Sequence, residues 1–107
     1  MNRWDVWLAN VPFEDIPSAK KLRPVLVMDD AVIVLSVFKM TTHPPRDELD
    51  YQLINYAAAG LPKQTVVRLS KLIILDSVDM IRQLGRLSLQ DIQAIRKAIS
   101  CMASKEQ

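Results

Sequence analysis

Reactive and flexible residues are scarce in this chain: its 107 residues include one cysteine, Cys101, one histidine, His43, and two glycines, Gly60 and Gly85. A lone cysteine excludes an intrachain disulfide and any Cys-rich zinc module, and it suits a reducing compartment. A lone histidine removes paired-imidazole catalysis and the usual transition-metal clusters, so any chemistry must come from other groups. With so few glycines, the remaining corners must use Pro, Asp and Asn. Long apolar runs are also missing. The longest, residues 31–35 and 72–75, fall far short of the roughly 20 residues that cross a bilayer. The first five residues lead into a strand-like alternation, not into the apolar core of a signal peptide. No membrane span and a cytoplasmic location are therefore expected. Fourteen basic and twelve acidic residues leave a net charge of +2, so no overall positive field argues for nucleic acid, and local placement must carry that argument.

What is present can build a core. Half the residues are hydrophobic and 24% are charged, a globular mixture that needs neither a metal nor disulfides to fold at this length. The chain reads as a single domain over residues 1–107, with no repeat, linker or low-complexity segment. Trp4, Val6 and Leu8 alternate with Asp5, Trp7 and Ala9, the period of two of a half-buried strand. Residues 10–22 hold Pro12, Pro17, two acids, Lys20 and Lys21, and read as a long surface loop and candidate site wall. Pro24 opens a second strand through Met28, Asp29 and Asp30 turn the chain, and residues 31–40 form a third strand that Pro44 and Pro45 close. Tyr51 and Leu53 alternate as in a strand, whereas residues 56–59 before Gly60 predict a short helix stopped by a C-terminal glycine. Residues 65–75 are a strand in which Arg68 shares a face with Ser70. A short segment after Asp76 ends at Gly85. Ser88 is a natural N-cap with Asp91 three residues on, and Ile92, Ile95, Ile99 and Met102 form one apolar helical stripe. The fold expected from this string is mainly β with a terminal helix (α+β), an antiparallel, partly closed barrel with the helix docked on it.

Four stretches in this order resemble the MazF/PemK-like toxins of bacterial type II toxin–antitoxin systems. They are Asp5-Val6-Trp7-Leu8 with Pro12-Phe13-Glu14-Asp15; Lys21-Leu22-Arg23-Pro24-Val25-Leu26-Val27; Thr41-Thr42-His43 with Arg46, Asp50-Tyr51 and Ala59-Gly60-Leu61; and residues 66–72 running into Leu84-Gly85-Arg86-Leu87-Ser88. The resemblance covers nearly the whole chain. It implies a small SH3-like/CcdB-like antiparallel barrel that dimerises and cleaves single-stranded RNA without a metal or other cofactor, leaving a cyclic phosphate. It also implies a cognate antitoxin with a flexible acidic tail. Carried over residue by residue, it assigns catalytic roles to Arg23 in the loop ahead of the Pro-Val-Leu strand, to Thr41 at a strand end, and to Arg68. Lys20, Lys21, Thr42, His43, Arg46 and Ser70 then flank the substrate. The chain departs from the pattern at Trp4, where many members carry glycine, and at Ser70, where some carry an acid.

The chemistry suits these residue types. Attack of a ribose 2′-hydroxyl on the adjacent phosphate builds negative charge on the phosphoryl oxygens, and fixed cationic donors bind that state better than the substrate. A guanidinium is planar, always charged and bidentate toward phosphate. Thr41 can position the phosphate by its hydroxyl. The general base is open between Glu14, Asp15 and His43, histidine being the side chain whose ordinary titration range spans neutral pH. Each residue also has a plainer reading. Arg23 can be a solvated loop cation and Arg68 the partner of an acid such as Asp76 or Asp29; Lys63 and Lys71, with the other lysines, can be a soluble surface rather than a phosphate track. Trp4 and Trp7 read as barrel core or dimer edge. The second functional reading is a non-catalytic interaction module or topoisomerase poison on the same barrel.

Overall fold

The computed structural model describes residues 1–16, 18–30 and 34–105. Strands β1 (Asp5–Pro12), β2 (Lys20–Asp30), β3 (Val34–Thr41), β4 (Asp50–Gln52), β5 (Val66–Asp76) and β6 (Met80–Arg86) form one antiparallel sheet, ordered β4-β5-β3-β2-β1-β6. A single 3₁₀ turn, Ser77–Asp79, joins β5 to β6, and helix α1 (Leu89–Lys105) follows. No helix among the described residues is long and apolar enough to cross a membrane.

Helix α1 starts where the sequence places it. Ser88 Oγ accepts the Asp91 amide at 3.2 Å, and the Ser88 hydroxyl donates to Asp91 Oδ2 at 3.1 Å, which satisfies donors that the first helical turn leaves free. Its stripe packs on the sheet. Ile95 is fully buried, Ile92 nearly so, and Ile99 and Met102 lie against the same cluster, which includes Val6, Leu26, Phe38, Met40, Val67 and Leu69. The opposite face carries a second core built by Ala9, Val11, Val25, Val27, Leu35, Val37, Leu75 and Met80. Strand β1, expected to bury one face, therefore buries both: Val6 enters the first core, Ala9 and Val11 the second. Irregular steps in the pairing of β1 with β6, β2 with β3 and β3 with β5 bend the sheet enough to enclose both clusters.

The two glycines meet where the ends of the strand order approach. A Cβ on Gly60 would stand 1.9 Å from the Leu84 carbonyl oxygen, and one on Gly85 2.5 Å from the Ala59 carbonyl oxygen. The turn after β4 thus lies backbone to backbone on β6 and brings β4 and β6 together at this corner, the partly closed barrel that was expected. Residues 56–59 form a turn and not a helix. Gly60 does adopt the left-handed conformation of a helix stop, φ 79°, and the Leu61 amide reaches back to the Tyr56 carbonyl at 3.2 Å. The stop signal is real, but four residues are too few to repay helix nucleation.

Other boundaries differ too. Residues 10–12 and 20–22, expected in the long loop, pair with each other, Asn10 opposite Leu22 and Pro12 opposite Lys20. Pro24 sits inside β2, not at its start. It is tolerated because β2 pairs with β3 only from Val25 onward, so no second ladder needs its missing N–H. Asp29 and Asp30 belong to β2, and β3 is described from Val34; the earlier part of the expected third strand, residues 31–33, and Pro17 of the loop lie outside the described residues. Strand β6 takes the place of the short segment that the sequence reading leaves unassigned after Asp76.

Candidate active site

A cleft of about 230 Å³ opens at one end of the sheet. The end of β1 and the loop after it form one wall through Val11, Pro12, Phe13 and Glu14; Arg23 of β2, Lys39, Met40 and Thr41 of β3, and Arg68 of β5 form the floor; His43 and Arg46, from the segment after β3, complete the rim. Four lining side chains are cationic and one is a carboxylate. Arg23 and Arg68, far apart in the chain, share this space because β2, β3 and β5 are consecutive in the sheet.

Thr41, Arg68 and Glu14 are held by their neighbours. Thr41 is buried at the last position of β3, and its Oγ1 accepts the His43 amide at 3.2 Å, so its own proton is available to donate toward the cleft. Arg68 donates through Nε to Asp50 Oδ1 at 3.4 Å, while Asp50 Oδ2 accepts the Arg46 amide at 3.1 Å. The Asp50 side chain is only 2% exposed; one buried carboxylate therefore orients a cleft guanidinium and pins the rim loop. Arg23 has no acidic partner among the described residues. Glu14 Oε1 lies 3.1 Å from Lys71 Nζ and 3.4 Å from Lys39 Nζ. The hydrogen bond from Lys71, with the charge of Lys39, holds the Glu14 carboxyl below the usual carboxylate range.

The sequence model of the PemK-like, MazF-like toxins of type II toxin–antitoxin systems matches residues 2–102. This chain belongs to that family. Solved structures agree on the fold. The Mycobacterium tuberculosis toxin MazF-mt6 is 24% identical, with 89% of this chain and 91% of that one covered and a TM-score of 0.70. An endoribonuclease in complex with its cognate antitoxin, from a mycobacterial species, is 12% identical, covering 97% and 95% with a TM-score of 0.75. An Mtb toxin is 25% identical, covering 73% and 89% with a TM-score of 0.63. A comparison with curated proteins found no match.

The MazF-like fold brings together Arg23, Thr41, His43, Arg46 and Arg68, five of the nine residues named from the sequence. The other four do not line the cleft. Lys20 is bonded to Asp79 at 2.8 Å, Lys21 and Thr42 are exposed, and Ser70 is exposed on β5. Arg23 is a strand residue opposite Ala9 and not a loop residue, because the ladder with β1 extends past the prolines. Arg68 pairs with Asp50, its cross-strand neighbour on β4, and not with Asp76 or Asp29. Trp4, where the resemblance led to an expectation of glycine, adopts a left-handed backbone, φ 76°. Its ring is buried in the first core, 5.9 Å under the Arg96 guanidinium. The sequence assigns no site role to Lys39, which lines the cleft, or to Asp50, which supports Arg68 from outside its lining. The period of two that put Thr41 at a strand end also puts Lys39 on the same face.

Proposed function

We propose that this protein is a metal-independent endoribonuclease toxin that cuts single-stranded RNA by attack of a 2′-hydroxyl on the adjacent phosphate, breaking the bond to the 5′-oxygen and leaving a cyclic phosphate and a free 5′-hydroxyl. The observation that carries this reading is the convergence of Arg23, Arg68 and Thr41 in one cleft. Two guanidinium groups there match the charge that grows on the phosphoryl oxygens, and they need no reorganisation as it forms. Arg68 is held by Asp50 through Nε, which leaves its terminal nitrogens for a phosphate. Arg23, without an acidic partner among the described residues, is the natural first contact. Thr41 donates its hydroxyl to a phosphate oxygen and so sets its position.

Proton transfer falls to His43 in this reading. Among the cleft's side chains only Glu14 and His43 can accept a proton without first losing one, and Glu14, held ionised by two lysines, is a poor base at neutral pH. The cationic groove also fits a flexible acidic antitoxin tail, which would quench cleavage by occupying the phosphate site, and the toxin would work as a homodimer. The test is incubation with mixed-sequence single-stranded RNA in excess chelator, followed by end-group analysis. Cyclic phosphate and 5′-hydroxyl ends are expected. Intact RNA with retained growth inhibition would instead indicate a poison acting through another target, and no effect at all a binding module.

A further inference from the structure

The carboxylate of Glu14 sits in a cationic cleft without contributing to phosphate binding. It reaches the site on the loop after β1, whereas its two partners stand on the sheet, Lys39 on β3 and Lys71 on β5. The Lys39 and Lys71 side chains are 17% and 35% exposed, against 57% for Glu14. The lysines thus stand on paired strands and are better covered than the acid, which stands on an exposed loop. Their adjacency follows from the ladder: between the pairs Phe38–Leu72 and Met40–Val67, β5 advances five residues while β3 advances two. Lys71 lies in that extra length of β5 and Lys39 opposite it.

Two ammonium groups side by side repel unless an anion lies between them. Glu14 Oε1 occupies that point, within 3.4 Å of both, and a phosphate oxygen offers the same charge and acceptor geometry. Lys39 and Glu14 line the same cleft as Arg23, Thr41 and Arg68, and Lys71, just outside that lining, reaches Glu14 at 3.1 Å, so an anion bound between the lysines would lie at the cleft's edge. We propose that Lys39 and Lys71 form a second phosphate subsite of the RNA cleft and that Glu14 fills it until a neighbouring phosphate of the bound strand displaces it. The inference rests on the reading of the cleft as an RNA site and adds an internal competitor to it. Such a competitor lowers the apparent affinity for RNA by the fraction of molecules in which it is seated.

The test uses 2′-O-methyl oligonucleotides, which lack the attacking hydroxyl and cannot be cut. Binding of a dinucleotide, with one phosphate, and a trinucleotide, with two, is measured at fixed low salt for wild type, Glu14→Gln and the double variant Lys39→Met/Lys71→Met, with melting curves confirming folding. Glu14→Gln is expected to bind the trinucleotide about three- to tenfold tighter than wild type, the range that two exposed ion pairs allow, with the dinucleotide changed less than about twofold. The lysine variant should bind both ligands alike. Wild-type-like trinucleotide affinity in Glu14→Gln, while Arg23→Ala loses binding, overturns the second subsite and leaves the RNA site standing. A gain for a polyglutamate peptide but not for the trinucleotide overturns it in favour of a carboxylate partner. If neither oligonucleotide binds any variant, the RNA reading itself fails and takes the subsite with it. Cleavage gives an independent readout: Glu14→Gln should cut faster at low RNA concentration, whereas loss of a general base would slow it by about 10²- to 10⁴-fold.

Discussion

Asp91 under helix α1 and Glu14 at the cleft are both carboxylates held by several donors, in opposite surroundings. Asp91 has no exposed surface and accepts the Tyr51 hydroxyl, the Ile54 and Asn55 amides and the Ser88 hydroxyl, all within 3.1 Å. Every donor there is matched, and the group ties α1, β4 and the following turn together. Glu14 is exposed on a loop, faces more positive charge than it can neutralise, and leaves Arg23 without an acidic partner among the described residues. The closed end spends its polar groups on holding the barrel shut, whereas the open end keeps charge in reserve for an outside anion. Removing groups from the first should therefore change stability, and removing them from the second should change binding.

The largest loss of stability is expected for Asp91→Ala, which strands several buried donors at once: about 3–5 kcal/mol by denaturant unfolding. A loss below about 1 kcal/mol would erase the contrast with Glu14. Gly60→Ala should follow at roughly 2–5 kcal/mol, since the added methyl meets the Leu84 carbonyl and the backbone is left-handed. Next is Asp50→Ala, which joins the two regions. It frees Arg68 and the Arg46 amide and should lower both stability, by ~1–3 kcal/mol, and RNA cleavage; Asp50→Asn should recover much of the fold and less of the activity.

The pH dependence follows from Tyr51. Burial first, and then its bond to Asp91, raises the hydroxyl's pKa above the ordinary tyrosine range. Because the folded value lies above the unfolded one, the associated stability is fully present below about pH 10 and declines at higher pH. Tyr51→Phe should flatten that alkaline decline in a series of melting curves. The smallest effect concerns Trp4. Both Trp4→Gly and Trp4→Ala lose the buried ring, yet Trp4→Gly should be the more stable by about 1 kcal/mol, the reverse of the usual order, because only glycine accepts φ 76° without strain.

Local features were the legible ones. Helix α1 could be read from Ser88, Asp91 and the Ile92–Met102 spacing, because capping and a 3.6-residue period are written within a few residues. The end of β3 at Thr41 was marked by the prolines that follow. Strand β6 was not legible: Ile81, Arg82 and Gln83 are all exposed, so no alternation survives on this edge. Composition misassigned residues 10–12 and 20–22, the two ends of the expected loop, because prolines and lysines disfavour a strand until the cross-strand ladder outweighs that preference. The meeting of Arg23 with Arg68 was reachable only through the family resemblance, since it depends on strand order. The Asp50–Arg68 pair depends on register between strands far apart in the sequence, and no local pattern encodes it.

The central claim is that Arg23 and Arg68 do the cutting, and that Arg23, which has no acidic partner among the described residues, does not hold the fold. Measuring RNA cleavage in chelator by wild type, Arg23→Ala and Arg68→Ala, beside their melting temperatures, addresses it most directly. The account predicts a drop of about 10²- to 10³-fold in each variant, with Arg23→Ala melting like wild type. Undiminished cleavage by both folded variants would contradict it.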